Sequence, residues 1–505
     1  MPDIVFADQT KPLAALTEEA ARGAAGLAAH GAKDAIVALL MRNDAAFVTV
    51  SEAARQAGAA TLPLNWHLKA QDIAFVLEDS GAALLVAHVD LWNAIAPGLP
   101  EKLKRKLTVH LVPTPEVTVA AYRIAPGDLA LPQDVPLWSD LVAEHAPIDA
   151  PVETRPHPLI YTSGTTGRPK GVQRLGTANP ARVAYDAFFD ETARTLLSTP
   201  LYHAAAHRFL DGTLRAGGSV VLPVRFDAEG MLRDIEAYRI TTSFVVPAMF
   251  QRLLRLPDDV KRRYDLSSLR HVVVAGAPCA AEQKAAMIDW WGPVIYEYYG
   301  STELGAVTFA SSEDALLRPG TVGRAVETAR VAILDEAGNP CPQGTIGEIY
   351  GRRDDLPDFT YLNHAEARAA AGAGELVTMG DVGFLDADGY LFLSDRKTDV
   401  IIANGVNIYP AQVEAAILAH PDVADCAVFG IPDELAGESV AAIIEPVAGR
   451  SIDTGALTTF LEDRLASYMI PRLFEERQTF PRDEAGKVKK RELRAPFWEA
   501  VKRAI

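Results

Sequence analysis

The run Tyr161-Thr162-Ser163-Gly164-Thr165-Thr166-Gly167-Arg168-Pro169-Lys170-Gly171 follows a short apolar stretch, Pro158-Leu159-Ile160. Its glycines let backbone N–H groups turn toward an anion, and its Ser and Thr hydroxyls and Lys170 add further donors. That is an inventory for holding a polyphosphate. It is not a Walker A loop, because Gly167 leads into Arg-Pro-Lys rather than Gly-Lys-Ser/Thr. A second cationic stretch, Arg482–Arg494, sets Arg482, Lys487, Lys489, Lys490, Arg491 and Arg494 against Asp483, Glu484 and Glu492. On residue types alone it reads as a solvated basic helix. His203 stands in the apolar segment Pro200-Leu201-Tyr202-His203-Ala204, where a lone histidine serves structure at least as often as chemistry. Asp386-Ala387-Asp388-Gly389 opens like a calcium loop but lacks the remaining ligands, so a turn is expected there.

The elements that must position these groups follow from patterning. With 505 residues the chain holds about three domain-sized units, and 49% apolar residues can bury a large core. Lys and Arg number 49 against 66 Asp and Glu, a net charge of −17, which argues against general nucleic-acid binding or docking on anionic lipid. The cysteines Cys279, Cys341 and Cys426 are far apart, which excludes a disulfide scaffold and a thiolate zinc site. No apolar run approaches a membrane span, and the first residues lack the basic region of a signal peptide. A soluble, cytoplasmic protein is expected.

Strands are expected at Ala35–Leu40, Ala82–Ala87, Leu107–Val112, Gly218–Val224, Thr242–Val246, His271–Ala275 and Val294–Tyr298, alternating with helices such as Glu229–Tyr238. Such alternation predicts α/β layers with largely parallel sheets. After about residue 320 the pattern changes to paired strands, Ala329–Asp335 with Thr345–Gly351 and a hairpin over Gly383–Arg396. Residues 397–505 read as a compact α+β unit, with a helix at Ala411–His420 and a strand at Ala424–Gly430.

A family resemblance rests on five segments in order. The phosphate-holding run resembles the signature of adenylate-forming enzymes, which include acyl- and aryl-CoA synthetases, amino-acid adenylation domains and beetle luciferases. Tyr299-Gly300-Ser301-Thr302-Glu303, Gly380-Asp381-Val382-Gly383, Asp395-Arg396-Lys397-Thr398-Asp399-Val400-Ile401 with Asn404–Pro410, and Pro481–Val488 around Gly486-Lys487 are similar to its further motifs. The resemblance implies an α/β fold, a large N-terminal domain of layered sheets flanked by helices (1–395) and a small mobile α+β C-terminal domain (396–505). It implies that Thr162, Ser163, Gly164, Thr165, Thr166, Gly167 and Lys170 hold ATP phosphates, that Thr302 donates to the α-phosphate and that Glu303 holds Mg²⁺. A hard cation suits such an oxygen ligand. Asp381 and Arg396 would take the ribose side, and Gly276, Ala277 and Pro278, with Glu297 and Tyr298, the adenine. Lys487 would be the catalytic lysine, and His203 an acyl-site residue tied to gating, beside Ala204, Val246, Met249 and Gly300. The small domain would turn about Arg396 and Thr398, opening a CoA tunnel beside Gly405 and Val406. Some positions depart from the family pattern: Thr398, Met469, Tyr298 and the continuation Val172-Gln173-Arg174.

The implied reaction is ATP plus a carboxylic acid giving acyl-AMP and pyrophosphate, followed by CoA giving acyl-CoA and AMP, with Mg²⁺ as cofactor. The segment Thr242–Phe250 is apolar, and Leu201–Ala206 has no carboxylate to pair a substrate amine. An uncharged acid is expected, whether fatty, aryl or polycyclic, with the Ala run mildly favouring a bulky one. Transfer of the acyl group to a carrier protein or an amine, and an inactive nucleotide-binding regulator, are the alternatives. The expected partners are the acid, ATP and CoA, with no nucleic acid and no integral membrane contact, and a homodimer is the assembly entertained.

Overall fold

Apolar β-branched runs separated by helices become parallel strands, because only a crossover helix can return the chain to the same edge. The computed structural model describes residues 2–149, 157–162, 169–176, 184–403, 406–433, 435–482 and 488–499. Near the N-terminus, Ala60–Pro63, Ile36–Leu40, Leu84–His88 and Thr108–Val112 lie in that order in a parallel sheet. Both of its faces are covered. Val37 and Leu39 pack toward the helices Leu13–Ala29 and Ala45–Gln56, while Ala38 and Leu40 pack toward Ala70–Ser80 and Val89–Ile95.

A larger sheet has 14 strands among the described residues. Its parallel half contains Asp3–Phe6, Ser219–Leu222, Arg194–Leu196, Thr242–Val245, His271–Val274 and Ile295–Ser301. From Gly305–Ala310 onward its neighbours are antiparallel and end with Tyr390–Arg396, Leu376–Leu385, Gly347–Arg353 and Ala329–Leu334. The Asp386 carboxylate accepts from the Asp388 and Tyr390 amides, so this sequence is the hairpin turn that was expected. A short antiparallel sheet of Phe359–Tyr361, Lys170–Arg174 and Ile160–Thr162 sits apart from both.

The C-terminal part is smaller and has its own cores. The strands Ile401–Ala403, Val406–Ile408, Val423–Asp433, Gly437–Pro446 and Leu473–Glu476 form one sheet. Pro410–Leu418 and Thr454–Glu462 bury Val413, Ile417, Leu457 and Leu461 against one face, and Lys490–Glu499 places Leu493 in the core on the other. Among the described residues of the basic C-terminal stretch, the helix is Lys490–Glu499. No helix among the described residues is long and apolar enough to cross a membrane.

One buried ion pair has a measurable consequence for stability. Lys284, on the helix Ala281–Trp291, pairs with Glu297 inside the large domain and donates to the Thr321 carbonyl at 2.8 Å. Burial pushes the Glu297 carboxyl up, and Lys284 opposes that rise. Lys284→Met is expected to cost about 3–5 kcal/mol by stranding Glu297. The double variant Lys284→Met, Glu297→Leu should recover much of the loss in thermal midpoint, and equal losses in both variants would contradict this.

Candidate active site

The parallel strands of the large sheet end side by side at one edge, where α/β folds place ligands. Val245, Val274 and Glu297 are in register, so Val246, Gly276 and Tyr298 follow at neighbouring strand ends. Gly276 has φ +89°, a conformation that suits glycine, and exposes its backbone beside Ala277 and Pro278. Gly300 is required for another reason: a Cβ there would overlap the Gly305 carbonyl oxygen as the chain doubles back.

Alternation along Ile295–Ser301 divides the expected adenine residues between two faces. Tyr298 stacks with Phe244, ring centroids 6.3 Å apart, on the side where Phe209 also packs. Glu297 points the other way, into its pair with Lys284. The side chains of Glu297 and Tyr298 therefore face opposite ways, and only the main chain of Glu297 is left on the Tyr298 side. Tyr299, to which the sequence assigned no role, reaches the residues expected on the ribose side. Its hydroxyl donates to Asp381 Oδ2 at 2.6 Å, and Arg396 Nε lies 2.8 Å from Asp381 Oδ1. Asp381 and Arg396 are cross-strand partners in the hairpin, so the sheet register itself brings them together. Burial, with the Asp381 charge added, pushes the Tyr299 phenol well above its ordinary range, so it stays a donor. The signal was its place in the Tyr-Gly-Ser-Thr-Glu segment.

On the other side of the Tyr299–Glu303 segment, Tyr361 donates to Glu303 Oε1 at 2.9 Å, and Lys170 Nζ stands 5.4 Å from the Tyr361 ring centroid. Burial, reinforced by Glu303, raises the Tyr361 phenol, keeping it protonated. Thr162 and Lys170 pair across the strands Ile160–Thr162 and Lys170–Arg174. Ser163, Gly164, Thr165, Thr166 and Gly167 lie outside the described residues. Tyr161 anchors this hairpin through a 2.6 Å bond to Asp79 Oδ2, which also accepts from nearby Asn363 through Oδ1 at 3.0 Å.

Among the described residues no group of three or more His, Cys, Asp or Glu could hold a metal ion by itself. Mg²⁺ is commonly held by only one or two carboxylates, with substrate phosphates completing its shell. A carboxylate such as Glu303 keeps acceptor capacity at its second oxygen while Tyr361 occupies the first.

Two residues expected on the acyl side, His203 and Ala204, lie at the N-terminus of the helix Ala204–Arg215. His203 precedes it and its ring centroid lies 4.4 Å from that of Tyr202. Ala204 is half-buried, and Val246 and Met249 are buried. His67 is close enough to this cluster to feel it: burial lowers its pKa to about 4, with the positive charges of Arg42, His203 and Lys489 adding to the effect. Lys487 and Gly405 lie outside the described residues, while Val406 is 44% exposed. The small domain is held by Gln251 and Arg255, which donate to the Ala424 carbonyl at 3.2 and 2.6 Å, and by the Ala411 amide, which donates to Asp395 at 2.7 Å. Thr398 follows directly, its Oγ1 3.5 Å from Asp399 Oδ1.

Comparison with known proteins agrees in both parts of the chain. The family model described as AMP-binding enzyme matches residues 2–356, and that of the AMP-binding enzyme C-terminal domain matches 412–487. A feruloyl-CoA synthase from an Amycolatopsis species is 34% identical over 96% of this chain and 93% of its own. The o-succinylbenzoate CoA synthetase of Bacillus subtilis, solved with its acyl-adenylate intermediate, superposes with a TM-score of 0.78 at 26% identity, covering 99% of this chain and 95% of that one. An amide bond synthetase from Marinactinospora thermotolerans gives 0.82 at 27% identity, covering 98% and 96%. With both domain models matched in order, the chain belongs to the AMP-binding enzymes of the adenylate-forming superfamily.

Proposed function

We propose that the protein is an AMP-forming acyl-CoA ligase acting on a bulky, uncharged carboxylic acid, with an aryl acid favoured. The observation that carries this reading is the Tyr299–Glu303 segment, with Asp381 and Arg396 bonded at one end and Tyr361 and Lys170 gathered at the other. That layout suits a nucleotide whose ribose lies at Asp381 and whose phosphates lie between Lys170 and Glu303. An oxygen of the substrate carboxylate attacks the α-phosphorus, the bond to the β-phosphate oxygen breaks and pyrophosphate leaves. The CoA thiol then loses its proton and attacks the acyl carbon, and AMP departs with the bonding pair. Mg²⁺, when bound, offsets charge on the departing phosphates. Thr302 would hold the α-phosphate, and Lys487 would offset repulsion between carboxylate and phosphate. Residues 396–398 would serve as the hinge, and Gly405 and Val406 would border the pantetheine path. The reading places the protein in the cytoplasm, where ATP and CoA are supplied. Acid-dependent exchange of pyrophosphate into ATP tests it, since a nucleotide-binding regulator gives none.

Buried, apolar Val246 and Met249 favour an apolar acid with a bulky body. The name of the feruloyl-CoA synthase relative points the same way. With no carboxylate in Leu201–Ala206 to pair an ammonium, amino acids are expected to be poor substrates. Phenylpropanoate should be turned over far faster than phenylalanine, and comparable rates would sink this assignment. Transfer of the acyl group to an amine is a second reading, favoured by the likeness to an amide bond synthetase.

A further inference from the structure

Arg174 closes the strand that begins with Lys170, four residues further along. Lys170, Val172 and Arg174 share one face of that strand. The Arg174 guanidinium leaves its own sheet and bridges two backbone carbonyls, Thr302 at 3.0 Å from Nη2 and Pro357 at 3.1 Å from Nη1. It also stands 5.9 Å from the Phe359 ring centroid, on the adjoining strand. Burial lowers its pKa to about 10, with the charges of Glu303 and Asp358 opposing that, so it remains a cation at neutral pH.

The two outer contacts of the short sheet thus converge on consecutive residues. Arg174 holds the main chain of Thr302, and Tyr361 holds the carboxylate of Glu303. The same sheet ends in Thr162 and Lys170, on either side of the phosphate-holding run. A planar fork with two donors can fix two carbonyls at once, which a lysine ammonium on a flexible stem does not do in the same geometry.

Resting on the proposed function, we propose that Arg174 is a positioning residue that fixes the spacing between Lys170 and the Thr302–Glu303 turn, and so sets how tightly the site uses metal-bound ATP. It touches no substrate atom itself. Its removal leaves two carbonyls without their cation and lets the turn move relative to the sheet, while the Asp381–Arg396 side is held by separate bonds.

Arg174→Met and Arg174→Lys test this against wild type. In Arg174→Met, the Mg²⁺ concentration giving half-maximal ATP–pyrophosphate exchange should rise about tenfold or more, as when a residue orienting a metal ligand is lost. Calorimetric titration with ATP, with and without Mg²⁺ and without acid, should show the Mg²⁺-dependent gain in affinity shrinking in parallel. The thioester step from synthetic acyl-AMP should be nearly unchanged. Arg174→Lys should restore the thermal midpoint but only part of the Mg²⁺ response. An unchanged Mg²⁺ response in both measurements, or equal loss in both half-reactions, would overturn the assignment. If wild type shows no exchange with any acid, the proposed function fails, and the calorimetric comparison still decides the role of Arg174.

Discussion

Lys487→Ala is expected to abolish most adenylation, by about 10²-fold or more, while retaining much of the thioester step when synthetic acyl-AMP is supplied. The reason is the difference in charge between the two steps. Carboxylate and α-phosphate are both anionic when they meet, and an ammonium between them offsets their repulsion. The thiol attacks an acyl-AMP that no longer needs that help. On the hinge reading, the small domain has by then turned and carried the lysine away. The flanks of residue 487 are fastened to the small domain on both sides. Arg482 pairs with Asp425 and also reaches Glu445 at 3.4 Å, and Lys490 pairs with Glu414 at 2.7 Å. Gly405→Leu is expected to do the reverse, obstructing the pantetheine path and leaving ATP–pyrophosphate exchange largely intact. Opposite losses follow from two arrangements of one site, whereas general destabilisation lowers both steps together. Equal losses in both half-reactions for both variants would remove the hinge reading.

Glu303→Gln should cut adenylation by about 10²-fold or more, because an amide cannot replace a carboxylate as a ligand for a hard cation. The fold should survive, since Gln keeps an oxygen that can accept the Tyr361 hydroxyl, the bond Glu303 makes now. Circular dichroism and the thermal midpoint check that survival, and pyrophosphate exchange over a range of Mg²⁺ concentrations reads the effect. Near-normal exchange in this variant would take Glu303 out of the metal site.

Much of the architecture was legible from periodicity. The helix expected at Glu229–Tyr238 runs Ala228–Tyr238, and the strand expected at His271–Ala275 runs His271–Val274. Long apolar runs in an alternating chain leave little freedom in a parallel sheet. The sequence did not reveal that Gly305–Ala310 joins the end of that sheet and continues it with antiparallel strands, because cross-strand partners distant in the chain leave no local pattern. In the site, Asp381 and Arg396 could be named from motifs, and their contact follows from hairpin register. The Glu297–Lys284 pair was not legible, because a motif read as a string ignores which way each strand residue points and Lys284 sits on a separate helix. Arg174 and Tyr361 were missed for a related reason: their roles depend on a three-stranded sheet assembled from segments nearly two hundred residues apart in sequence.

The central claim is that one site joins an acid to CoA through AMP. The most direct measurement is a chromatographic assay of the purified protein with ATP, Mg²⁺, CoA and a panel of uncharged aryl and alkyl acids, following every nucleotide and thioester. The account predicts free acyl-CoA and AMP forming together in equal amounts, each dependent on the acid. ADP as the nucleotide product, or AMP released with the acyl group appearing only on an added amine or carrier protein, would contradict it.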